Sequence, residues 1–156
     1  MGASGWDYVT EYAGSVEASF AALQAEVFDK DYGDGETYGS LAELRADEEF
    51  MCEEGTHSIL DIDRVVHTTG APRYETGDVG TLRPLAADRA VHHFGTDRPT
   101  VQRYGEVMAA ANAAMSHQQF EQSLIGECRM RWTGLYVLLY TGEQPTHVGI
   151  FGYSGD

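Results

Sequence analysis

Trp132-Thr133-Gly134-Leu135-Tyr136-Val137-Leu138-Leu139-Tyr140, then Thr141-Gly142-Glu143-Gln144-Pro145, then His147-Val148-Gly149-Ile150-Phe151-Gly152-Tyr153 decide the fold class. The first run is dominated by aromatic and branched side chains, the second is turn chemistry, and the third returns to strand-forming residues. The stretch therefore reads as a C-terminal β-hairpin. Upstream, the apolar period becomes two from Thr56. Leu60, Ile62 and Val66 fall on one side, and His57, Ile59, Asp61, Asp63 and Val65 on the other, which predicts a third strand.

Helical spacing fills the intervals. Ser15 offers an N-cap to a helix over residues 15–28, with Val16, Phe20, Leu23 and Val27 on its apolar face. Asp31-Tyr32-Gly33-Asp34-Gly35 breaks it. A second helix is predicted from Ser40, where Ser40-Leu41-Ala42-Glu43 has the form of a capping box, to Gly55, with a narrow stripe of Leu41, Leu44 and Met51. Residues 68–80 lack periodicity and read as a loop. A short helix over residues 85–94 stops at Gly95, and Pro99 opens another with Val101, Tyr104, Met108, Ala111 and Met115 on one face. Ser116-His117-Gln118-Gln119 restarts the helix. Trp6, Tyr8, Val9 and Tyr12 read as a segment docked on the core. The expected architecture is α+β: a mainly antiparallel sheet with a C-terminal hairpin, packed by several helices, in a single domain spanning residues 1–156.

At 156 residues and 42% hydrophobic, the chain suffices for one folded core. It carries 25 acidic and 10 basic residues, a formal charge of -15, and that field opposes binding to nucleic acid and to anionic membranes. Its longest apolar run, residues 135–140, is far short of a membrane span. The opening Met1-Gly2-Ala3-Ser4-Gly5-Trp6 has neither the basic nor the apolar region of a signal peptide, and Cys52 and Cys128 form no disulfide framework, so a cytoplasmic location is expected.

The charge is unevenly placed. Residues 1–63 hold 16 acids against Lys30 and Arg45, a net of -14, whereas residues 64–156 hold nine acids and eight bases. Such a field either solvates one face or steers a basic protein partner onto it. Asp29-Lys30-Asp31-Tyr32-Gly33-Asp34-Gly35 begins like a calcium loop, but Gly33 stands at its fifth position and Ser40 at the twelfth, where a bidentate Glu is required. No metal site is expected.

Two sets of candidate residues follow. Asp47, Glu48, Glu49 and Glu53, with Tyr32 and Phe50 as aromatic anchors beside Trp6 and Tyr38, would form a partner-binding surface for a basic protein, as in an inhibitor or immunity protein. Alternatively, His57 with Asp61, Asp63 and Glu54 would perform acid–base chemistry on a small molecule without a cofactor, given a strand that aligns them. Ser58 and Ser154 lie in no nucleophile elbow and read as turn or strand residues. Cys52 sits among Glu48, Glu49, Glu53 and Glu54 and reads as a helix-packing residue; Cys128 beside Arg129 and Arg131 has the better electrostatic setting. His92 and His93 diverge on a helix and suit its C-terminal end. Arg98, Arg103, Arg129 and Arg131 would either bind an anion or pair with the acidic half.

Trp6-Asp7-Tyr8, Gly55-Thr56-His57-Ser58-Ile59-Leu60-Asp61, Phe94-Gly95-Thr96-Asp97-Arg98-Pro99-Thr100, residues 132–140 and Gly152-Tyr153-Ser154-Gly155-Asp156 together resemble a group of small acidic proteins from actinobacteria. Nine Arg against one Lys fit such a GC-rich source. The resemblance covers most of the chain and brings no catalytic or binding residue with it.

Overall fold

The computed structural model describes residues 4–155; residues 1–3, part of the opening read for a signal peptide, and Asp156, the end of the last string, lie outside the described residues. The five strands are β1 (Ser4–Glu11), β2 (Arg64–Val65), β3 (Thr81–Pro84), β4 (Thr133–Thr141) and β5 (Gln144–Ser154). They form one sheet in the order β1-β5-β4-β3-β2. The long β4–β5 hairpin and the β1–β5 pair are antiparallel, while β3 lies parallel to both β4 and β2. The fold is α+β, with the predicted hairpin at its centre.

Helices cover both faces. On one side α1 (Val16–Tyr32) presents Phe20, Leu23 and Val27 to Trp6, Leu82, Tyr136, Val148 and Ile150. Burial of each of those three α1 side chains contributes on the order of 2 kcal/mol, an upper figure because the unfolded chain already hides some surface. Two short helices, α2 (Leu41–Ala46) and α3 (Glu48–Glu53), flank α1 and are anchored through Leu44. On the other side α4 (Ala87–Phe94), α5 (Val101–Asn112) and α6 (His117–Gln122) lie over Val137, Leu139 and Phe151, with Phe94, Tyr104, Met108 and Leu124 as the main contacts. Gly149 admits the Tyr104 ring: a Cβ there would come within 2.6 Å of it.

The aromatic opening is the edge strand β1, paired with β5 from Ser4↔Ser154 to Glu11↔His147. Gly134 and Gly152 stand opposite one another, and a Cβ on either would come within 2.7 Å of the Trp6 indole. The two glycines form a slot that carries this ring to the buried end of β5, so Trp6 is a core residue and not an interface anchor.

Several expectations are corrected. Residues 56–63 are not a strand: the Ser58 hydroxyl accepts from the Leu60 amide at 3.2 Å, closing a 3₁₀ turn over Ile59–Asp61, and His57 has φ +53°. Ile59, Leu60, Asp61 and Ile62 are consecutively buried because α1 presses on the turn, with Gln24 donating to the Ile62 carbonyl at 2.7 Å. The helix expected over 40–55 is broken at Asp47, whose amide ends α2 on Leu44 and whose side chain caps α3. Ser40 caps α2 as expected, but Glu43 accepts from the Gly39 amide instead of completing the box. Met115 is 92% exposed because α5 ends at Asn112. Ser116 and Gln119 do form a reciprocal cap on α6. No helix among the described residues is long and apolar enough to cross a membrane.

Candidate functional site

The α2–α3 segment gathers most of the acidic candidates. Asp47 organises it: Oδ1 accepts from the Phe50 amide at 3.0 Å and Oδ2 from the Tyr38 hydroxyl at 2.8 Å. These two bonds, the backbone one first, hold the Asp47 carboxyl below the ordinary carboxylate range, and the same Asp47 contact raises the Tyr38 phenol. Phe28, Tyr32, Tyr38 and Phe50 then touch in sequence, with centroids 5.7, 5.9 and 6.2 Å apart. Tyr32 and Phe50 are half-buried and packed on the core, each leaving only part of its ring accessible.

Asp47, Glu49, Phe50, Glu53 and Glu54 line a concavity of about 220 Å³. Glu48 lies on the same short helix but outside this lining, and Glu54, grouped by sequence with His57, belongs to the acidic concavity instead. Helix α3 buries no residue and has no basic residue in its last turn. Glu49 and Glu53 are a like-charged i,i+4 pair, and Glu53 and Glu54 stand at the helix end that disfavours negative charge. Arg45, the one base of the α2–α3 segment, turns inward to donate to the Ile62 carbonyl at 2.6 Å. Burial lowers its pKa against the raising influence of Asp63 and Asp61.

Among the described residues, the ion pairs from the other half to the acidic one are Arg64 to Asp63 and His67 to Glu17, and neither reaches α2–α3. Among the described residues, none of Arg98, Arg103, Arg129 and Arg131 makes an ion pair with residues 4–63: Arg103 reaches Glu106 on its own helix, and Arg98 lies over the Tyr140 ring at 5.8 Å. The expectation that these arginines pair with the acidic half is therefore corrected. They are carried on α5, its preceding loop and the segment that leads into β4.

The His57 constellation is dispersed by the turn. His57, Asp63 and Glu54 are exposed, while Asp61 is buried. Asp61 Oδ1 accepts from the Thr56 amide at 2.7 Å and the Thr56 hydroxyl at 2.8 Å, and Oδ2 accepts from the Ser154 hydroxyl at 2.5 Å. Trp6 Nε1 in turn donates to Ser154 Oγ at 3.2 Å. This network ties the first strand, the turn at 56–61 and the end of β5 together. Ser154 is a strand residue, as its position suggests, but wholly buried. Thr56, Ser154 and Trp132 were not among the candidate site residues; the signal that could have marked them is the glycine beside each end of the network, Gly55 and Gly155, where a Cβ would lie 2.6 Å from the Trp132 ring.

The cysteines reverse their expected settings: Cys52 is exposed instead of packing its helix, and Cys128 is buried. Burial raises the Cys128 thiol pKa against the lowering effect of its bonds to Thr133 and Met130, which disfavours the thiolate. His92 and His93 do occupy the last turn of α4, where His93 Nε2 meets Glu127 Oε1 at 2.8 Å. No group of three or more His, Cys, Asp or Glu among the described residues is arranged to hold a metal ion. No family model, curated protein or solved structure matches the chain.

Proposed function

We propose that the protein is a binding module whose α2–α3 surface engages a basic protein partner, as an inhibitor or immunity protein does. The observation that carries this reading is the concavity of Asp47, Glu49, Phe50, Glu53 and Glu54 on a helix with no buried residue. Glu49 and Glu53 repel one another, and Glu53 and Glu54 oppose the helix dipole, a local cost that a cationic partner relieves. The volume suits a lysine or arginine side chain, whose alkyl stem lies on Phe50 while its charge meets the carboxylates. Asp47 is already held by Tyr38 and the Phe50 amide, so the rim is pre-organised. The net charge of residues 1–63 steers the encounter and makes it salt-sensitive. Two free cysteines, one exposed, suit a reducing compartment, which supports the reading of a cytoplasmic interaction.

The test is capture from source lysate at low salt, elution on a salt gradient and identification by mass spectrometry. A stoichiometric basic protein released by salt, and lost when Glu48, Glu49, Glu53 and Glu54 are changed to Gln, supports the reading. Capture of no such protein, or equal capture by the Gln variant, refutes it.

A further inference from the structure

A second concavity, of about 340 Å³, is lined by Met51, Cys52, Asp61, Asp63, Val79, Gly80 and Trp132. Its size lies within the range of small-ligand sites, and its walls are largely apolar around two carboxylates. Met51 and Cys52 fall on a different side of α3 from Phe50, Glu53 and Glu54, so this cavity is separate from the acidic one.

Three features make it a built site. The Trp132 indole is clamped between Gly55 and Gly155, at each of which a Cβ would come within 2.6 Å of the ring. Gly80, at φ +85°, leaves room for Asp63, since a Cβ there would meet Asp63 Oδ2 at 2.7 Å. Asp61 is buried yet makes no ion pair among the described residues: its three hydrogen bonds come from the Thr56 amide and from two hydroxyls. Arg45 acts on both carboxylates only at longer range and spends its near contact on Ile62. A buried carboxylate ordinarily has a charged partner. Here the place where one could stand is the cavity.

We propose that this cavity binds a small organic cation, an ammonium group carried on an apolar chain or ring. The ammonium would take the remaining lone pairs of Asp61 and Asp63, and its hydrocarbon would lie against Met51, Val79 and the face of Trp132, where the ring quadrupole adds attraction. Asp63 Oδ1 already holds Arg64 at 2.8 Å, which leaves Oδ2 for the ligand. The proposal is independent of the α2–α3 reading, because it uses another cavity and a ligand of another class.

The experiment titrates ¹⁵N-labelled full-length protein with 2-phenylethylamine at constant ionic strength and follows the indole N–H resonances of Trp6 and Trp132. The neutral 2-phenylethanol, sodium chloride and Nα-acetyl-lysinamide are run alongside. A saturable shift at Trp132 with the amine, at least about tenfold weaker binding of the alcohol, and a loss of about threefold or more in Asp63→Asn are expected. Asp63 is exposed, so that variant keeps the fold, which the dispersion of the spectrum verifies. The amine should also slow alkylation of Cys52, the exposed thiol of the lining. Equal responses to amine and alcohol, a shift reproduced by sodium chloride, or wild-type affinity in Asp63→Asn would overturn the proposal. Binding of Nα-acetyl-lysinamide as tight as that of the amine would assign the ammonium to a protein side chain and overturn the small-molecule reading.

Discussion

Asp61 and Glu127 are both carboxylates withdrawn from bulk solvent, on opposite faces of the sheet, and the protein satisfies them by different means. Glu127, in the turn Ile125–Glu127, accepts from Arg89 Nε at 2.7 Å and meets His93 Nε2 at 2.8 Å. Asp61 takes one backbone amide and two hydroxyls. The difference follows from where each lies in the chain. Residues 64–156 have nearly as many bases as acids, so a folded carboxylate finds cations at hand; residues 1–63 have Lys30 and Arg45 alone. In the acidic half a buried carboxylate is held by neutral dipoles or by something brought from outside.

The largest effect expected is that of Asp61→Ala. It leaves the Thr56 amide and the buried Ser154 hydroxyl without their acceptor and takes from the half-buried Thr56 hydroxyl one of two partners, the other being Ser58 Oγ at 2.9 Å, for a loss of about 3 kcal/mol in urea unfolding. A loss below about 1 kcal/mol would mean that the network is not what joins the turn to β5. Ser154→Ala is milder, removing one donor to Asp61 and the acceptor of Trp6 Nε1, for about 1–2 kcal/mol by the same measurement.

Glu127→Gln tests the other side of the comparison through pH. Burial pushes the Glu127 carboxyl up, but its bonds to Arg89 and His93 together outweigh burial and leave the pKa lowered. A lowered folded pKa means stability that is present above the ordinary carboxylate value and lost as pH falls through the folded one. Wild type should therefore lose stability more steeply than Glu127→Gln between about pH 5 and pH 3. Asp47 and Asp78, also lowered, titrate in that window in both chains and cancel from the difference. Parallel curves would break the claim that ion pairs stabilise Glu127. The smallest effect belongs to α3: Glu49→Gln with Glu53→Gln should raise Tm slightly at low salt and not at high salt, because it removes an i,i+4 repulsion. A fall in Tm at low salt would remove the physical basis for an uncompensated acidic helix.

Much of the fold was legible because its signals are local. The β4–β5 hairpin, the Ser15 and Ser40 caps, the Gly95 stop and the Ser116 cap each rest on side chains within a few residues of the backbone they act on. The 56–63 segment reads as a strand and folds as a turn because a buried turn and a strand both carry short apolar runs. Ser58, which closes the turn, differs from any strand serine only in where its hydroxyl points. The candidate site was legible in part: Asp47, Glu49, Glu53 and Phe50 do converge, since their spacing on one short helix brings them together, and Glu54 lines the same concavity.

By itself the sequence determined the α+β class, the central hairpin, the Ser15, Ser40 and Ser116 caps, the Gly95 stop and the division into an acidic and a balanced half, because each depends on neighbours along the chain or on composition alone. Tertiary structure decided the rest. It placed Trp6 beside Ser154 through two facing glycines, turned Arg45 away from the acidic surface, and buried Asp61 in the lining of a cavity that it shares with Trp132. Those contacts join residues from 17 to 148 positions apart, and no periodicity or local propensity records a meeting that only the packing of the sheet against its helices brings about.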